Sequence, residues 1–531
     1  MRRIIYIILI MFTLTIPLTE GISAEEKRYG GTLVWGTCNK PTIINPILTT
    51  TSVSMSLQGL LFNSLVRLNA RGKIEPDLAE SWDVSADGLT YVFHLKKGVY
   101  FHDGVECTAE DVKFTYDKIL EPGVNSPFRQ FFEPVSQFKV LDKHTFQITL
   151  KKPFFNFAYR LIREIVPRHI LEKADLGECV FNSHPVGTGP FQFKEWGKDD
   201  QLTLEYNPRY FEGRPYLDKI IVKIYSDSHS LWVALMRGDI DYSTFIERED
   251  YEIIKDDLTF KAFAIPWDSY YAVFYNLADS LLAGIKIRQA IAYGVDMKEL
   301  IKKVAYGYGK ECIGPFYPGS SVFNSSIKPY GYDPNRSLEI LKEAGWRDED
   351  NDGILEKNGE KLELRVLVDT RNHVYQRIIM VIRQQLQQIG IKVKAVLYDN
   401  EEMLTPEFLA QNKPQAQLSF PMAIGDSAES LGLEDWYSLE SKRLIKLWVY
   451  QNKEVERLFR LAEATTDSEK IEIIYQKIHQ LIYVDQPACF LYVPFVFHAI
   501  SGKFGNVDDF FTLYMPYYTM KDWYIKQKGG D

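Results

Sequence analysis

Apolar side chains recur along the chain at two distinct spacings. In LTYVFHLKKGV, Leu89, Tyr91, Phe93 and Leu95 fall on alternate positions, the period of a strand with one buried face. TAEDVKFTYDKIL then places Val112, Tyr116 and Ile119 on one helical stripe, opened by Thr108 and Asp111 at the spacing of a capping box. Farther on, DPNRSLEILKEAGW sets Pro334 in a first turn, Leu338 and Leu341 on one face and Gly345 at the exit. RIIMVIRQQLQQIG repeats the device with Ile378, Ile382, Leu386, Ile389 and Gly390, and IKVKAVLYD returns as a strand. Helix and strand intermix without tandem repeat or low-complexity linker. This predicts an α/β protein whose sheet carries helices on its faces.

The start of the chain departs from that pattern. Arg2 and Arg3 precede an apolar run from Ile4 to Leu18, interrupted by Thr13, Thr15 and Pro17, and GISA stands before the charged EEKRY. That order reads as a signal peptide cleaved after Ala24, with a run too short to span a bilayer comfortably. No cysteine lies near it, so a lipid anchor has no attachment point, and the mature chain is expected free in a periplasm. The 531 residues fit about three domains. A formal net charge of −9 argues against a nucleic-acid partner. The five cysteines, Cys38, Cys107, Cys179, Cys312 and Cys489, are scattered and never spaced as metal pairs. An oxidising compartment allows disulfides among them, but the pairing is not legible in the spacing.

Few stretches carry candidate chemistry. RDEDNDGILEKNGE alternates Asp348, Asp350 and Asp352 before Gly353, as the start of a helix-loop-helix calcium loop does. Its twelfth position is Gly359 and not the bidentate glutamate, and KLELRVLV continues with Leu362, Leu364, Val366 and Val368 at strand spacing. The stretch is read as a solvated acidic turn between a helix and a strand, and no metal is assigned. The histidines form no HExxH pair, no GxSxG elbow occurs, and YGYGKE lacks the first glycine and the Ser/Thr of a phosphate loop. No catalytic residue and no cofactor are therefore assigned. Glu110 and Asp111 are accounted for by the dipole of a first helical turn, and His102 and Asp103 beside Gly104 by a solvated turn. SPFRQFFEP gathers Phe128, Phe131 and Phe132 in a segment that its turn residues place on a surface or rim.

Longer stretches resemble a known family. PDLAESWDVSADGLTYVFHLKKGVYFHDG followed by TAEDVKFTYDKIL resembles the signature region of the family 5 extracellular solute-binding proteins, the peptide and nickel receptors of ABC importers. HPVGTGPFQFKEW, NPRYFEGRPYLDKIIVKI, ALMRGDIDYS, KIRQAIAYGVDMKELI and LQQIGIKVK are similar to the same family, in the same order, from about Gly30 to about residue 500. The resemblance implies a type II periplasmic binding protein, an α/β chain whose two lobes, built from three domains, close on a ligand. Its layout places a signal peptide at 1–24, domain I at 25–66, 187–275 and 500–531, an inserted domain II at 67–186, and an opposing lobe, domain III, at 276–499. It implies a monomeric receptor, not an enzyme, that delivers an oligopeptide-like solute to the permease subunits of an ABC transporter. A nickel chelate, haem or oligosaccharide as ligand, or a sensor that reads the loaded form, are the alternatives.

The same resemblance supplies candidate ligand residues. Phe128 matches an aromatic position that touches bound peptide. Asp426 keeps the acid that meets a ligand ammonium group, although Ala423 and Ser427 replace the tryptophan and tyrosine around it and the turn proline is missing. Thr50, Thr51 and Ser52 stand where residues that pair with a peptide backbone are expected. Arg371 and His373, in VDTRNHVY, fall where the opposing lobe reaches the cleft, and the donor fork of Arg371 suits a ligand carboxylate.

Overall fold

The computed structural model describes residues 29–49, 51–154, 157–197, 201–420, 450–463, 465, 467–512, 515 and 517–526. Thr50, Asp426 and the expected signal peptide at 1–24 lie outside the described residues. Among the described residues, no helix is long and apolar enough to cross a membrane.

One strand organises the molecule. Ala488–Ser501 reads ACFLYVPFVFHAIS, with Pro494 and Phe495 half-buried near its middle and nearly every other residue buried. A strand covered on both faces is apolar throughout and does not alternate. Its first part pairs antiparallel with Tyr271–Tyr275, its middle with Gly309–Glu311, and its second part with Phe260–Pro266 and Tyr242–Thr244. Around it grows a mixed sheet of twelve strands. On one side lie Tyr242–Thr244, Thr32–Thr37 and Lys219–Ile224 in parallel, followed by the antiparallel strands Gln201–Tyr206 and Phe191–Trp196. On the other lie Tyr271–Tyr275, Ala416–Ser419, and the parallel pair Glu363–Asp369 and Lys392–Tyr398. Among the described residues, two segments join the halves: the middle of the long strand, and the stretch between Pro266 and Tyr271.

The helices form where their stripes predict. Asn372 caps His373–Gln387 by accepting from the Val374 and Tyr375 N–H groups, and Ile378, Ile382 and Leu386 enter a core with Leu364 and Val366. Gly390, at φ 79°, ends that run, and a side chain there would press on Leu355. A separate antiparallel sheet of Ala79–Val84, Thr90–Leu95, Thr145–Leu150 and Val135–Asp142 buries Tyr91, Phe93 and Leu95 on one face. Helix Ala109–Leu120 begins with the capping box: the Thr108 N–H donates to Asp111 Oδ2 at 2.9 Å. Asp111 Oδ1 also accepts from the Arg168 N–H at 3.0 Å, so this acid joins two chain segments in addition to meeting a helix dipole.

Two expectations are corrected, and the cysteine pairing that the spacing left open is answered. Phe128 is 6 % exposed and lies in the core, because Ser126 Oγ donates to Ile47 O at 2.6 Å and draws the segment inward. His102 is not a solvated turn residue. Its Nδ1 accepts from the Gly187 N–H at 3.1 Å, its Nε2 donates to Gly189 O at 3.2 Å, and burial holds the ring neutral with a pKa of about 4. All five cysteines are free thiols; Cys107, Cys489 and Cys312 are buried in three different cores, which keeps them apart. The reason His102 is covered lies in PVGTGPF: a Cβ on Gly187 would stand 1.9 Å from Leu61 O, and one on Gly189 2.4 Å from the Leu61 carbonyl carbon. Only glycine lets this segment lie against the end of helix Ser52–Leu61 and over the imidazole.

Candidate functional site

Aromatic rings collect where the two sheet halves meet. Phe245 follows the strand Tyr242–Thr244, and Trp267 follows Phe260–Pro266, its N–H donating to Pro494 O at 2.8 Å. These rings are 45 % and 37 % exposed in a region whose strands are buried. From Phe245 the centroid spacings run 5.9 Å to Trp267, 5.3 Å from there to Phe420, and 4.4 Å from Phe420 to Tyr271. Tyr271 then meets Tyr492 at 5.0 Å and Tyr375, on helix His373–Gln387, at 6.0 Å. Tilted and offset rings at these spacings attract one another. The line crosses from one half of the sheet to the other over both joining segments.

Phe245 holds φ 58°, a left-handed backbone that is uncommon for a bulky aromatic residue and costs on the order of 1–3 kcal/mol. The surroundings impose it: the adjacent Ile246 N–H donates to Phe497 O at 3.0 Å. Beneath Phe245 lies His498, fully buried, with Phe245 at 5.5 Å, Phe511 at 5.8 Å and no hydrogen-bond partner on either ring nitrogen. Burial alone depresses its pKa to about 3, so the imidazole under the site is neutral.

Charge enters beside the rings. Arg248, at the start of helix Arg248–Ile254, packs its guanidinium 3.9 Å over the ring of Tyr306, which follows helix Met297–Val304. Arg377 approaches the same ring from 5.8 Å. Nearby, Tyr308 donates a hydrogen bond to Glu252 and sits 5.6 Å from Tyr251, and burial and Glu252 together push its hydroxyl pKa up to about 12. Helix Arg248–Ile254 packs on the first sheet half, whereas Tyr306 and Tyr308 lead into Gly309–Glu311 at the joint. The contacts therefore clasp the halves together. Arg248 is ion-paired with the neighbouring Glu249, so aromatic faces next to it and to Arg377 suit an organic solute that presents apolar surface and a carboxylate able to compete with Glu249.

The predicted residues fall into two groups. Thr51 and Ser52 are exposed at the start of helix Ser52–Leu61, where Thr51 Oγ1 donates to Ser54 Oγ at 2.8 Å. The Ser126–Ile47 bond brings the loop that leads into them to the Phe128 segment, where Phe128 lies 4.3 Å under the guanidinium of Arg163. Arg371 is exposed and folded onto Asp369, with Nη2 to Oδ2 at 2.6 Å, and His373 is exposed as the first residue of its helix. Both stand at the helix start that carries Tyr375. The sequence reading missed Phe245, Trp267, Phe420, Arg248, Tyr306 and Arg377. Trp267, directly after Pro266 and between two strand-like runs, was the one with a readable signal.

Comparison with known proteins gives a consistent picture. The profile of the family described as bacterial extracellular solute-binding proteins, family 5 middle, matches residues 73–440. The oligopeptide-binding protein AppA of Bacillus subtilis is 31 % identical over 482 residues, covering 89 % of this chain and 88 % of that protein. The structure of Bacillus subtilis AppA with a nonapeptide superimposes with a TM-score of 0.71 at 28 % identity, over 94 % of this chain and 100 % of that one. That of NikZ from Campylobacter jejuni with Ni(L-His) gives a TM-score of 0.74 at 25 % identity, over 93 % and 99 %.

Proposed function

Because the chain belongs to the bacterial extracellular solute-binding proteins of family 5, we propose that it captures an oligopeptide-like solute in the periplasm and delivers it to the permease subunits of an ABC transporter. Its role is binding and not catalysis, and it acts as a monomer after removal of residues 1–24. The observation that carries this reading is the line of rings from Phe245 to Tyr375 across the joint between the sheet halves. A solute held there touches both halves at once, so its binding energy favours their closure. Domain I at 25–66, 187–275 and 500–531, domain II at 67–186 and domain III at 276–499 are the bodies assigned to that motion. The ligand surface combines Phe245, Trp267 and Phe420 with the residues proposed from sequence, Thr50, Thr51, Ser52, Arg371, His373 and Asp426, and the buried Phe128 stands behind it. Phe128 contributes from beneath Arg163, and Arg371 exchanges Asp369 for a ligand carboxylate.

A metal chelate is the second reading, supported by the likeness to NikZ with Ni(L-His). Titration calorimetry with a peptide mixture and with Ni(L-His) separates the two. On the peptide reading Asp426→Asn lowers affinity by about 2–5 kcal/mol, the loss for one member of a desolvated charge pair. An N-acetylated peptide loses a similar amount against the unaltered protein and little more against the variant. Full peptide affinity in Asp426→Asn removes the anchor, and binding of Ni(L-His) without peptide binding removes the peptide reading.

A further inference from the structure

The acidic stretch 348–360 lacks a calcium loop's twelfth-position glutamate, yet the fold supplies another carboxylate. After the turn, Glu356–Lys357 pairs with Glu360–Lys361 as a short hairpin, and Glu356 is clamped to Arg347 by both backbone bonds, Arg347 N to Glu356 O at 3.0 Å and the reverse at 2.6 Å. This carries Glu356 back beside Asp348. Glu356 is 6 % exposed; its Oε2 accepts from the Glu349 N–H at 2.9 Å, and its Oε1 is buried without a hydrogen-bond partner. Asp348, Asp350 and Glu356 each present a carboxylate oxygen, all within 4.8 Å of one another. Oxygens bound to one calcium ion at about 2.4 Å stand no farther apart than about 4.8 Å. A buried acid oxygen with no donor, facing two more carboxylates, is costly unless a cation meets it.

Lys361 is the only cation that the described contacts bring to the cluster. Its ammonium is 3.1 Å from Asp350, bonded to Asp352, and 3.6 Å from Glu356 Oε1, beyond hydrogen-bond reach. One ammonium thus answers three carboxylates, while Asp348 Oδ2 accepts only from the Gly353 N–H, at 3.1 Å, among the described contacts. We propose that Asp348, Asp350 and Glu356 form a calcium site, with Lys361, which Asp352 also holds, as the internal cation that the ion displaces. All donors are hard oxygens, and the turn that carries two of them is exposed, which favours calcium over the smaller, strictly octahedral magnesium. The ion ties the turn after helix Pro334–Glu343 to the hairpin that precedes strand Glu363–Asp369. It lies outside the ring line, and its role is structural.

The test is calorimetry and thermal unfolding of chelator-treated protein, titrated with calcium chloride alone to about 10 mM, about ten times the weak end of extracellular sites. One saturable site and a rise in melting temperature are expected. Asp350→Asn, at an exposed position, and Glu356→Gln should each lose about tenfold or more in affinity, and Lys361→Met should bind calcium more tightly because its competitor is gone. No saturable binding in either the unaltered protein or Lys361→Met overturns the site and leaves Lys361 as its permanent counter-ion. Magnesium binding equal to or tighter than calcium overturns the assignment of the ion. Peptide titration of the same samples reads the proposed transport function separately, so failure of one does not pass for failure of the other.

Discussion

Acidification from about pH 7.5 to about pH 5 should destabilise the fold measurably through one side chain, His498. Its ring is fully buried, its register partners across the sheet are Thr244 and Phe263, and Phe245 and Phe511 close over it. No carboxylate appears among these contacts to stabilise an imidazolium, and the native pKa of about 3 follows from burial. The unfolded chain takes up the proton near pH 6.5. The native pKa lies below the unfolded one, so the stability contribution is complete above about pH 6.5 and is lost as the pH falls from there toward about 3. At pH 5 the unfolded state is favoured by about 1.5 pH units of proton binding, at about 1.36 kcal/mol each, or about 2 kcal/mol. His498→Phe keeps a ring between Phe245 and Phe511 and cannot titrate. Urea unfolding of both proteins at both pH values isolates the effect, because His102, His479 and the carboxylates titrate alike in each and cancel. The variant should lose about 2 kcal/mol less on acidification than the unaltered protein. Equal losses would refute the reasoning and mean that the His498 nitrogens find a partner when protonated.

Two further outcomes follow from packing. Gly189→Ala forces a Cβ to within 2.4 Å of backbone at Leu61 and should destabilise by about 1–3 kcal/mol, read as a lowered melting temperature; an unchanged midpoint would mean that helix Ser52–Leu61 yields. Tyr306→Ala removes the ring beneath Arg248, a contact worth about 0.5–2 kcal/mol, and should speed ligand release by about 2-fold to 30-fold in stopped-flow measurements. An unchanged release rate would show that the Arg248–Tyr306 clasp persists in the open form.

How much of this was legible depends on the range of the interaction. The strand over Thr90–Leu95, the capping box at Thr108 and the stripe of Ile378, Ile382 and Leu386 were readable, because each is set by neighbours two to four residues away. The resemblance identified the family for the same reason, since it rests on continuous runs such as HPVGTGPFQFKEW. In contrast, the turn at His102 looked solvated because nothing local reveals that Gly187 and Gly189 fold over it. Phe128 was expected at a rim because its turn residues are local, whereas its burial comes from Ile47.

The candidate site shows the same division more sharply. Phe245, Trp267, Tyr271, Tyr375, Phe420 and Tyr492 come from widely separated positions and meet only because the long strand Ala488–Ser501 pairs with both halves of the sheet. Glu356 is an ordinary glutamate until a short hairpin turns it back against Asp348 and strips its Oε1 of water. By itself the sequence determined period, helix ends and family, all of which are encoded in short-range geometry. Tertiary structure alone decided which rings share a surface, which imidazole is neutral and which carboxylate lacks a donor, because burial and charge depend on whatever the rest of the chain brings within a few ångströms.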